Sequence, residues 1–277
     1  MADIWRSVTN VQPVPWKRWL LFLLTYPLPG TEVARGFRFG IPWVVKICAR
    51  TTSTEAHALR FLESTRLALP IPRLIFAFAE CGATYTIMSR IPGISLKEVR
   101  ERGLLSLEAE TNILTEVTTV LDQMQTLRQP PGDEGKVMMS TSGHDLPDPR
   151  YFHETRSGPF PSALQLWVHC ASYDDIEEFK QDIPLAVQEA VTADPIRFVH
   201  PDLRMYNVLI HDNHVSAIID WEDSGWLPSS WQVHTMRHIR LGCRGFWSEH
   251  WRKRHRFTDE AEAAYAASMT FLTKLPT

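Results

Sequence analysis

Three oxygen-bearing side chains lie within one short stretch of the chain. Residues 200–220 contain a carboxylate, Asp202, then a carboxamide, Asn207, and then a second carboxylate, Asp220. Transfer of a phosphoryl group from ATP needs one group that orients the attacking hydroxyl, together with oxygen ligands that hold Mg²⁺ against the phosphates. Asp202 suits the first task, and Asn207 and Asp220 suit the second.

The segment between Asn207 and Asp220 predicts how these two side chains meet. Two apolar runs, at 208–211 and 215–219, are separated by an Asp-Asn-His turn at 212–214, which is typical of a hairpin. Such a hairpin folds back on itself, so Asp220 is expected beside Asn207. Two oxygen ligands suit Mg²⁺, a hard cation that keeps several waters and takes few protein ligands.

Two alternatives use the same residues differently. Polar side chains at these positions could simply cap turns and end a strand. His200 and Asp202, with either His250 or His255, also match the two-histidine, one-carboxylate triad of non-heme iron oxygenases. That triad would need a jelly roll of short strands, and it leaves the other two oxygen ligands without a role. Helical patterns argue against it, at 177–191 and 258–273. His200 is instead expected to brace the loop.

Four short motifs accompany these residues. They are His-Pro-Asp-Leu-Arg-Met-Tyr-Asn-Val-Leu-Ile at 200–210, Ile-Ile-Asp-Trp-Glu at 218–222, Gly-Trp-Leu-Pro at 225–228 followed by Trp231, and Ser-Gly-Pro-Phe at 157–160. Together they resemble the aminoglycoside phosphotransferase and choline-kinase-like superfamily, and especially its large fungal branch. The resemblance covers residues 32–235. The resemblance is specific because the three functional residues and an Asp-Trp-Glu triplet all match the family pattern.

This resemblance implies an α+β, bilobal protein kinase-like fold. Residues 1–91 would form an N-terminal lobe with a small β-sheet and one main helix, and residues 92–277 a larger, mostly helical C-terminal lobe with the catalytic loop and metal site. ATP and Mg²⁺ are implied, as is a small-molecule acceptor hydroxyl on an amino alcohol, an aminoglycoside-like compound or a specialised metabolite. Asp202 would orient and deprotonate that hydroxyl, while Asn207 and Asp220 chelate the metal.

Lys46 and Glu55 are the expected phosphate-binding pair. Lys46 lies in a strand pattern at 43–47, and Glu55 lies in a helical pattern at 54–63. In the kinase template a strand lysine reaches the nucleotide phosphates and is held extended by a glutamate of the following helix. Lysine and glutamate are more often exposed surface groups, but their order ahead of the catalytic loop favours the pair.

Two strands are predicted at 71–78 and 83–88, joined by a turn at Cys81 and Gly82. The segment that follows them, 89–93, is similar to the family's hinge between the lobes. By this resemblance the adenine would hydrogen-bond the backbone of Ser89 and Ile91, with Met88 against its ring. The alternative is an ordinary strand end.

The chain departs from the family pattern ahead of Lys46. A phosphate-covering loop needs closely spaced glycines, whereas Gly30, Gly36 and Gly40 are far apart. Residues 36–43 look instead like the turn of a hairpin that ends at Lys46. Either a glycine-poor loop lies within 27–36 or the small lobe lacks a strand, so a catalytically weak, kinase-like binding protein is a second candidate. A protein kinase is a further alternative, and the absence of its Asp-Phe-Gly and Ala-Pro-Glu motifs argues against it.

Composition indicates an ordinary soluble protein. The 277 residues are 44% hydrophobic and 22% charged, which suffices for a large core in one bilobal domain or two small ones. The net charge of −3 argues against a nucleic-acid partner. The apolar run 19–24 is too short to span a membrane, so we expect no membrane partner and an N-terminal helix packed on the small lobe. The pattern does not indicate an oligomeric state.

Cysteine spacing bears on metal binding and compartment. No Cys-x-x-Cys pair occurs among Cys48, Cys81, Cys170 and Cys243. Neither a zinc site nor a disulfide framework is therefore indicated, and a cytoplasmic location is the simplest inference.

The middle of the chain bears on the acceptor. Residues 106–127 show a long helical pattern expected in the core, and 130–162 are rich in Pro, Gly, Asp and Ser, as in a surface loop. Asp145, Asp148 and Arg150 in that loop could line an acceptor pocket, although a plain connector fits equally well.

The segment after Asp220 carries a second set of acidic and aromatic residues. Glu222 and Asp223 could attract a cationic amine of the acceptor, support the metal, or simply be solvated. The basic run 252–256 is expected to form a solvated helix face. Core packing is expected of Trp226, Trp231, Trp247 and Trp251.

Overall fold

The computed structural model describes residues 16–29, 31, 33–49, 53–146, 158–237 and 245–272. The chain separates into two compact units, one formed by residues 1–53 and 73–90 and the other by residues 54–72 and 91–277. The first contains an antiparallel sheet and the second is mostly helical, which confirms the α+β class. Residues 54–72 group with the second unit, and the lobe boundaries given above stay a prediction.

A five-stranded antiparallel sheet forms the body of the first unit. Its strands are β1 (Thr25–Pro27), β2 (Ala34–Phe37), β3 (Trp43–Cys48), β4 (Leu74–Glu80) and β5 (Ala83–Ser89), in the order β1-β2-β3-β5-β4. The predicted hairpin ending at Lys46 is present as β2 and β3, where Lys46 pairs with Ala34 on one side and Thr86 on the other. The choice between a glycine-poor loop within 27–36 and a missing strand stays a prediction.

The hairpin of β4 and β5 also follows the sequence closely. Cys81 and Gly82 form its turn with φ angles of 51° and 73°. β4 begins at Leu74 instead of Ile71, because Pro72 offers no N–H to a neighbouring strand. The predicted strand at 71–78 is therefore displaced toward its C-terminal end.

Helix α1 (Trp16–Leu24) precedes the sheet. Leu21 is buried in the core that Phe37, Val45 and Tyr85 share. The predicted N-terminal helix is present, but most of its apolar side chains point away from that core, including Trp19 and Leu23. The helix thus contacts the sheet through Leu21 and the half-buried Leu24, and its assignment to an N-terminal lobe stays a prediction.

The second unit contains the remaining helices of the described ranges. They are α2 (Thr54–Ser64), α3 (Leu96–Glu101), α4 (Leu107–Gln125), α5 (Ala163–Cys170), α6 (Ile176–Asp182), α7 (Leu185–Thr192), α8 (Ser229–Arg237), α9 (Phe246–Glu249) and α10 (Asp259–Ser268). The predicted core helix is α4, which the Ser106 hydroxyl caps by accepting a hydrogen bond from the Ala109 N–H. Leu107 is exposed in its first turn. Within the described ranges, every helix is too short or too polar to cross a bilayer.

The loop after α4 differs from its prediction. Residues 137–140 are buried, and Met139 pairs with both Asp145 and Trp226. A segment expected on the surface therefore contributes side chains to the core. Residues 147–157, including Asp148, Arg150 and Ser157, lie outside the described residues.

Two segments predicted to be helical, 177–191 and the basic run 252–256, are only partly helical. Pro184 separates α6 from α7, because proline cannot continue a helix interior. The basic run is only partly helical, since a π-helical turn covers His250–Arg254 and residues 255–258 are extended. The core role expected for four tryptophans is confirmed by their burial: Trp226, Trp231, Trp247 and Trp251.

Five short strands of the second unit frame the candidate site. They are β6 (Ile94–Ser95), β7 (Ile196–Val199), β8 (Val208–His211), β9 (His214–Ile218) and β10 (Gly225–Pro228), with β6-β8-β9 in one sheet and β7-β10 in another. Gly93, with φ of 117°, precedes β6, and a Cβ there would lie 2.4 Å from the Ile210 carbonyl oxygen. Only glycine therefore allows residue 93 to approach β8 this closely.

A buried carboxylate caps α8. Asp194 accepts hydrogen bonds from the Ser229 hydroxyl and from the Ser230 N–H, the latter at 3.0 Å. These donors belong to the first turn of the helix, whose N–H groups have no partner inside the helix. Burial raises the pKa of the Asp194 carboxyl from 3.8 to about 6.

The raised pKa of Asp194 predicts a pH-dependent stability. The folded state binds this proton more tightly than the unfolded chain, so the contribution is fully present below pH 3.8 and is lost as the pH rises through about 6. A shift of about two pKa units corresponds to roughly 3 kcal/mol. Urea unfolding followed by circular dichroism should show the stability difference between wild type and Asp194→Asn falling by up to that amount from pH 4 to pH 7. The control Asp175→Asn alters an exposed cap, and equal behaviour of both variants would contradict this assignment.

Candidate active site

The candidate site begins where β7 ends. His200 follows Val199 and is buried. Its Nδ1 accepts a hydrogen bond from the Asp202 N–H at 3.2 Å, and its Nε2 lies 3.0 Å from the Ile219 carbonyl oxygen. Gln232 of α8 bonds both the N–H and the carbonyl of His200, each at 3.1 Å. His200 thus braces the loop from three directions.

Asp202 is held by two neighbours of its own loop. Its side chain is 3% exposed. Oδ2 accepts from Arg204 at 2.9 Å and from the Asn207 amide at 3.0 Å, while Oδ1 lies 2.6 Å from the Arg204 Nε. A carboxylate with contacts on both oxygens has a fixed orientation, as a group that must align a reacting hydroxyl requires.

Asn207 ends a single 3₁₀ turn, Met205–Asn207, directly before β8. Its amide nitrogen donates to the Asp202 backbone oxygen at 2.8 Å as well as to the Asp202 carboxylate. Both donors of the amide are therefore directed at Asp202, and its Oδ1 is the atom that a cation would contact. This donor set fits Mg²⁺, which prefers oxygen ligands.

The hairpin of β8 and β9 brings the backbone of Asp220 close to that of Asn207. Val208 pairs with Ile218, and the Ile219 N–H donates to the Asn207 carbonyl at 2.9 Å. Asp220 is thus one residue away from a direct backbone contact with Asn207. It has a φ of 68°, a left-handed conformation that is uncommon outside glycine but that aspartate and asparagine adopt more readily than other residues.

The turn of this hairpin is tighter than predicted. Asp212 and Asn213 have φ angles of 50° and 64°, while His214 already pairs with His211 in the ladder. Two central residues with positive φ are typical of the turns that match the twist of a hairpin. The turn therefore has two residues, not three.

Glu55 contacts the chain immediately after Asp220. It lies in the first turn of α2, is buried, and its Oε1 accepts from the Trp221 N–H at 3.3 Å. The Trp221 indole N–H donates to the Ile218 carbonyl at 2.8 Å, and its ring packs edge-on against His200. The sequence did not indicate this contact of Glu55, because the two residues are far apart in the chain.

The predicted nucleotide-binding residues fall in both units. Lys46, the buried Met88 and Ser89 belong to the first, and Ile91, like Glu55, belongs to the second. The Ser89 N–H donates to the Arg73 carbonyl at 2.9 Å, so it is engaged within the sheet. Pairing of Lys46 with Glu55, and binding of adenine at Met88, Ser89 and Ile91, stay predictions.

Arg204 is the residue of this loop that the sequence analysis missed. It lies two positions after Asp202 in an extended conformation, which returns its guanidinium to the Asp202 carboxylate. A cation two positions after Asp202 was the available signal.

The alternative iron triad is not assembled. Within the described residues, no group of three histidine, cysteine or carboxylate side chains is placed to hold a metal ion. Both ring nitrogens of His200 are directed at backbone groups, while His250 packs against Trp251 and His255. The two-histidine interpretation is therefore wrong. The acceptor-binding roles of Asp145, Glu222 and Asp223 stay predictions.

Comparison with known proteins places this geometry in a family. A model described as the phosphotransferase enzyme family (APH) matches residues 27–231. Hygromycin-B 4-O-kinase of Escherichia coli is 24% identical over 243 residues, which cover 81% of this chain and 65% of the relative. The chain thus spans slightly less than two thirds of that relative's length.

Solved structures agree on the fold. A thermostable mutant of aminoglycoside phosphotransferase APH(4)-Ia, in a ternary complex with ADP and hygromycin B, gives a TM-score of 0.58 at 17% identity and covers 92% of this chain and 87% of its own. The gentamicin complex of APH(2")-IIa gives 0.50 at 15% identity, with 94% and 86% covered. The kinase-like fold predicted from the motifs is confirmed. Since the family model matches well over half of the sequence, the chain belongs to the phosphotransferase enzyme family.

Proposed function

We propose that the protein is an ATP- and Mg²⁺-dependent kinase that transfers the γ-phosphate to a hydroxyl group of a small molecule. The arrangement of Asp202 and Asn207 is the observation that carries this proposal. One buried carboxylate is fixed in orientation, and one amide turns its oxygen away from that carboxylate.

In the proposed reaction Asp202 accepts a hydrogen bond from the acceptor hydroxyl and takes its proton. The new bond joins the hydroxyl oxygen to the γ-phosphorus, while the bond from that phosphorus to the bridging oxygen of ADP breaks. Asn207 and Asp220 would hold Mg²⁺, which supplies neutralisation of phosphate charge when bound. Lys46, supported by Glu55, would contact the phosphates, and Met88, Ser89 and Ile91 would receive the adenine.

The acceptor belongs to a broad chemical class. The relative from Escherichia coli is named for an aminoglycoside, and the motifs resemble a superfamily that also phosphorylates amino alcohols and specialised metabolites. Fold likeness does not choose among them. Membership of the fungal branch and a cytoplasmic location are part of the proposal. The second rests on cysteine usage, since Cys48, Cys81 and Cys170 are not in disulfides.

A kinase-like binding protein is the second candidate, favoured by one observation. Gly30, Gly36 and Gly40 are too widely spaced for a glycine-rich phosphate loop. Such a protein would retain nucleotide binding and lack turnover.

The activity is tested by incubating the protein with Mg-ATP and a panel of amino alcohols, aminoglycosides and hydroxylated metabolites, with phosphorylated products detected by mass. We expect one class to gain a phosphate. Asp202→Asn should lower kcat about 10²- to 10⁴-fold, the usual contribution of a positioned base. Asp212→Asn, an exposed aspartate of the adjacent hairpin turn, is the matched control. Equal product from Asp202→Asn would remove Asp202 from the reaction.

The metal role is tested by ATP binding measured calorimetrically with and without Mg²⁺. Asp220→Asn should weaken Mg²⁺-dependent binding at least about tenfold, because a charged ligand of the cation is lost. Asparagine tolerates the left-handed conformation at this position, so the loss is not attributable to backbone strain. Undiminished Mg²⁺-dependent binding would show that Asp220 is not a ligand. Tight Mg-ATP binding with no product from any acceptor would favour the binding protein.

Arg204 is predicted to position Asp202. Arg204→Met should lower kcat roughly 10- to 100-fold with little change in the KM for the acceptor, because the carboxylate loses its alignment. Arg204→Lys should recover part of the loss, since a lysine supplies charge without the planar fork. The exposed Arg254 offers the control Arg254→Met. A change confined to KM would instead assign Arg204 to acceptor binding.

A further inference from the structure

Helix α1 presents an apolar stripe to solvent. Trp16, Trp19, Leu20 and Leu23 follow the i, i+3, i+4, i+7 spacing of one helix face and are 65%, 60%, 43% and 53% exposed. Such a stripe normally faces the core. Here Leu21, on the opposite side, is the residue buried in the sheet's core. The helix therefore packs on the sheet through the face of Leu21, while the four-residue apolar stripe faces solvent.

Cationic side chains are interleaved with aromatic rings around the stripe. The Lys17 ammonium lies 5.8 Å from the Trp16 ring centre and 5.5 Å from that of Phe78. Phe78 in turn neighbours the exposed Phe76 at 6.0 Å. On the other flank, the Arg18 guanidinium lies 5.7 Å from the centre of the Phe22 ring, and the Arg35 guanidinium lies 4.4 Å from it. The apolar surface is therefore bordered by cations, with one carboxylate among them, because Glu80 accepts a hydrogen bond from the Arg18 N–H at 3.0 Å.

The charge of the whole first unit matches this border. Residues 1–53 and 73–90 contain nine lysines and arginines and three acidic residues, Asp3, Glu32 and Glu80. The complete chain nevertheless carries a net charge of −3. Positive charge is thus concentrated in the unit that carries the stripe, and the surface is complementary to a partner that is anionic outside and apolar beneath.

A second copy of the chain fits this surface poorly. At the observed exposures the four stripe side chains offer roughly 500 Å², whereas a stable protein interface buries about 800 Å² on each partner. Two copies would also bring their like-charged borders together. A nucleic acid would satisfy the charges but would leave Leu20 and Leu23 without an apolar environment.

We propose that α1 is an interfacial helix that docks the protein on an anionic lipid surface. Trp16, Trp19, Leu20 and Leu23 enter the boundary between headgroups and acyl chains, while Lys17 and Arg18 contact anionic headgroups. The run was judged too short to cross a bilayer, but a helix that lies in the interface does not need that length. Tryptophan and lysine together are typical of this boundary. The inference is independent of the kinase proposal.

Co-sedimentation of the full chain with vesicles tests the docking. One set contains phosphatidylcholine alone and the other adds about 30 mol% phosphatidylserine. We expect at least about tenfold greater partitioning onto the anionic vesicles, weakened by high salt. Trp19→Glu and Leu23→Glu should each abolish most of the binding. Leu107→Glu changes an even more exposed leucine of the second unit and should bind as wild type does.

Three results would overturn the proposal. They are an absence of binding to both vesicle types, equal loss in Leu107→Glu, and a wild-type dimer in solution that Trp19→Glu converts to monomer. The last would assign the stripe to a second copy of the chain. Trp19→Ser, which removes the indole without adding charge, keeps the test decisive if a glutamate variant folds poorly by circular dichroism.

Discussion

One imidazole ring ties together the two segments on which the candidate site depends. Nδ1 of His200 accepts from the Asp202 N–H, and Nε2 meets the carbonyl of Ile219, directly before Asp220. One nitrogen must accept and the other must donate, so the neutral ring with its proton on Nε2 satisfies both contacts. The positions of both carboxylates are thereby linked through a buried side chain that has no need to react.

The same ring is anchored to the helical core. Gln232 of α8 holds the backbone of His200, and Asp194 caps the first turn of that helix. Helix α8 is therefore held by buried polar contacts on both sides of β7. Asp194, just before the strand, bonds the first turn of the helix, and Gln232 of the helix bonds His200, just after the strand. Buried polar networks contribute rigidity only when each member keeps its partners. The geometry of the site thus depends on the packed second unit as well as on the contacts within the loop.

The sequence predicted what is local and missed what is distant. The hairpin after Asn207, helix α4 and the strand of Lys46 follow from side-chain periodicity and turn chemistry, which act over a few residues. The contact of Glu55 with Trp221 joins positions 166 residues apart, and no periodicity encodes it. Burial of 137–140 was mispredicted and the outward apolar face of α1 was not foreseen, because tertiary packing decides which side of a segment is covered.

The distribution of tryptophan has a practical consequence for optical experiments. Five indoles of the second unit are fully buried, namely Trp167, Trp221, Trp226, Trp247 and Trp251, whereas Trp16 and Trp19 of the first are in water. Intrinsic emission from the larger unit should therefore be blue-shifted and dominate the spectrum. A denaturation curve recorded from that emission would report the unfolding of the larger unit and would be insensitive to a separate unfolding transition of the smaller one.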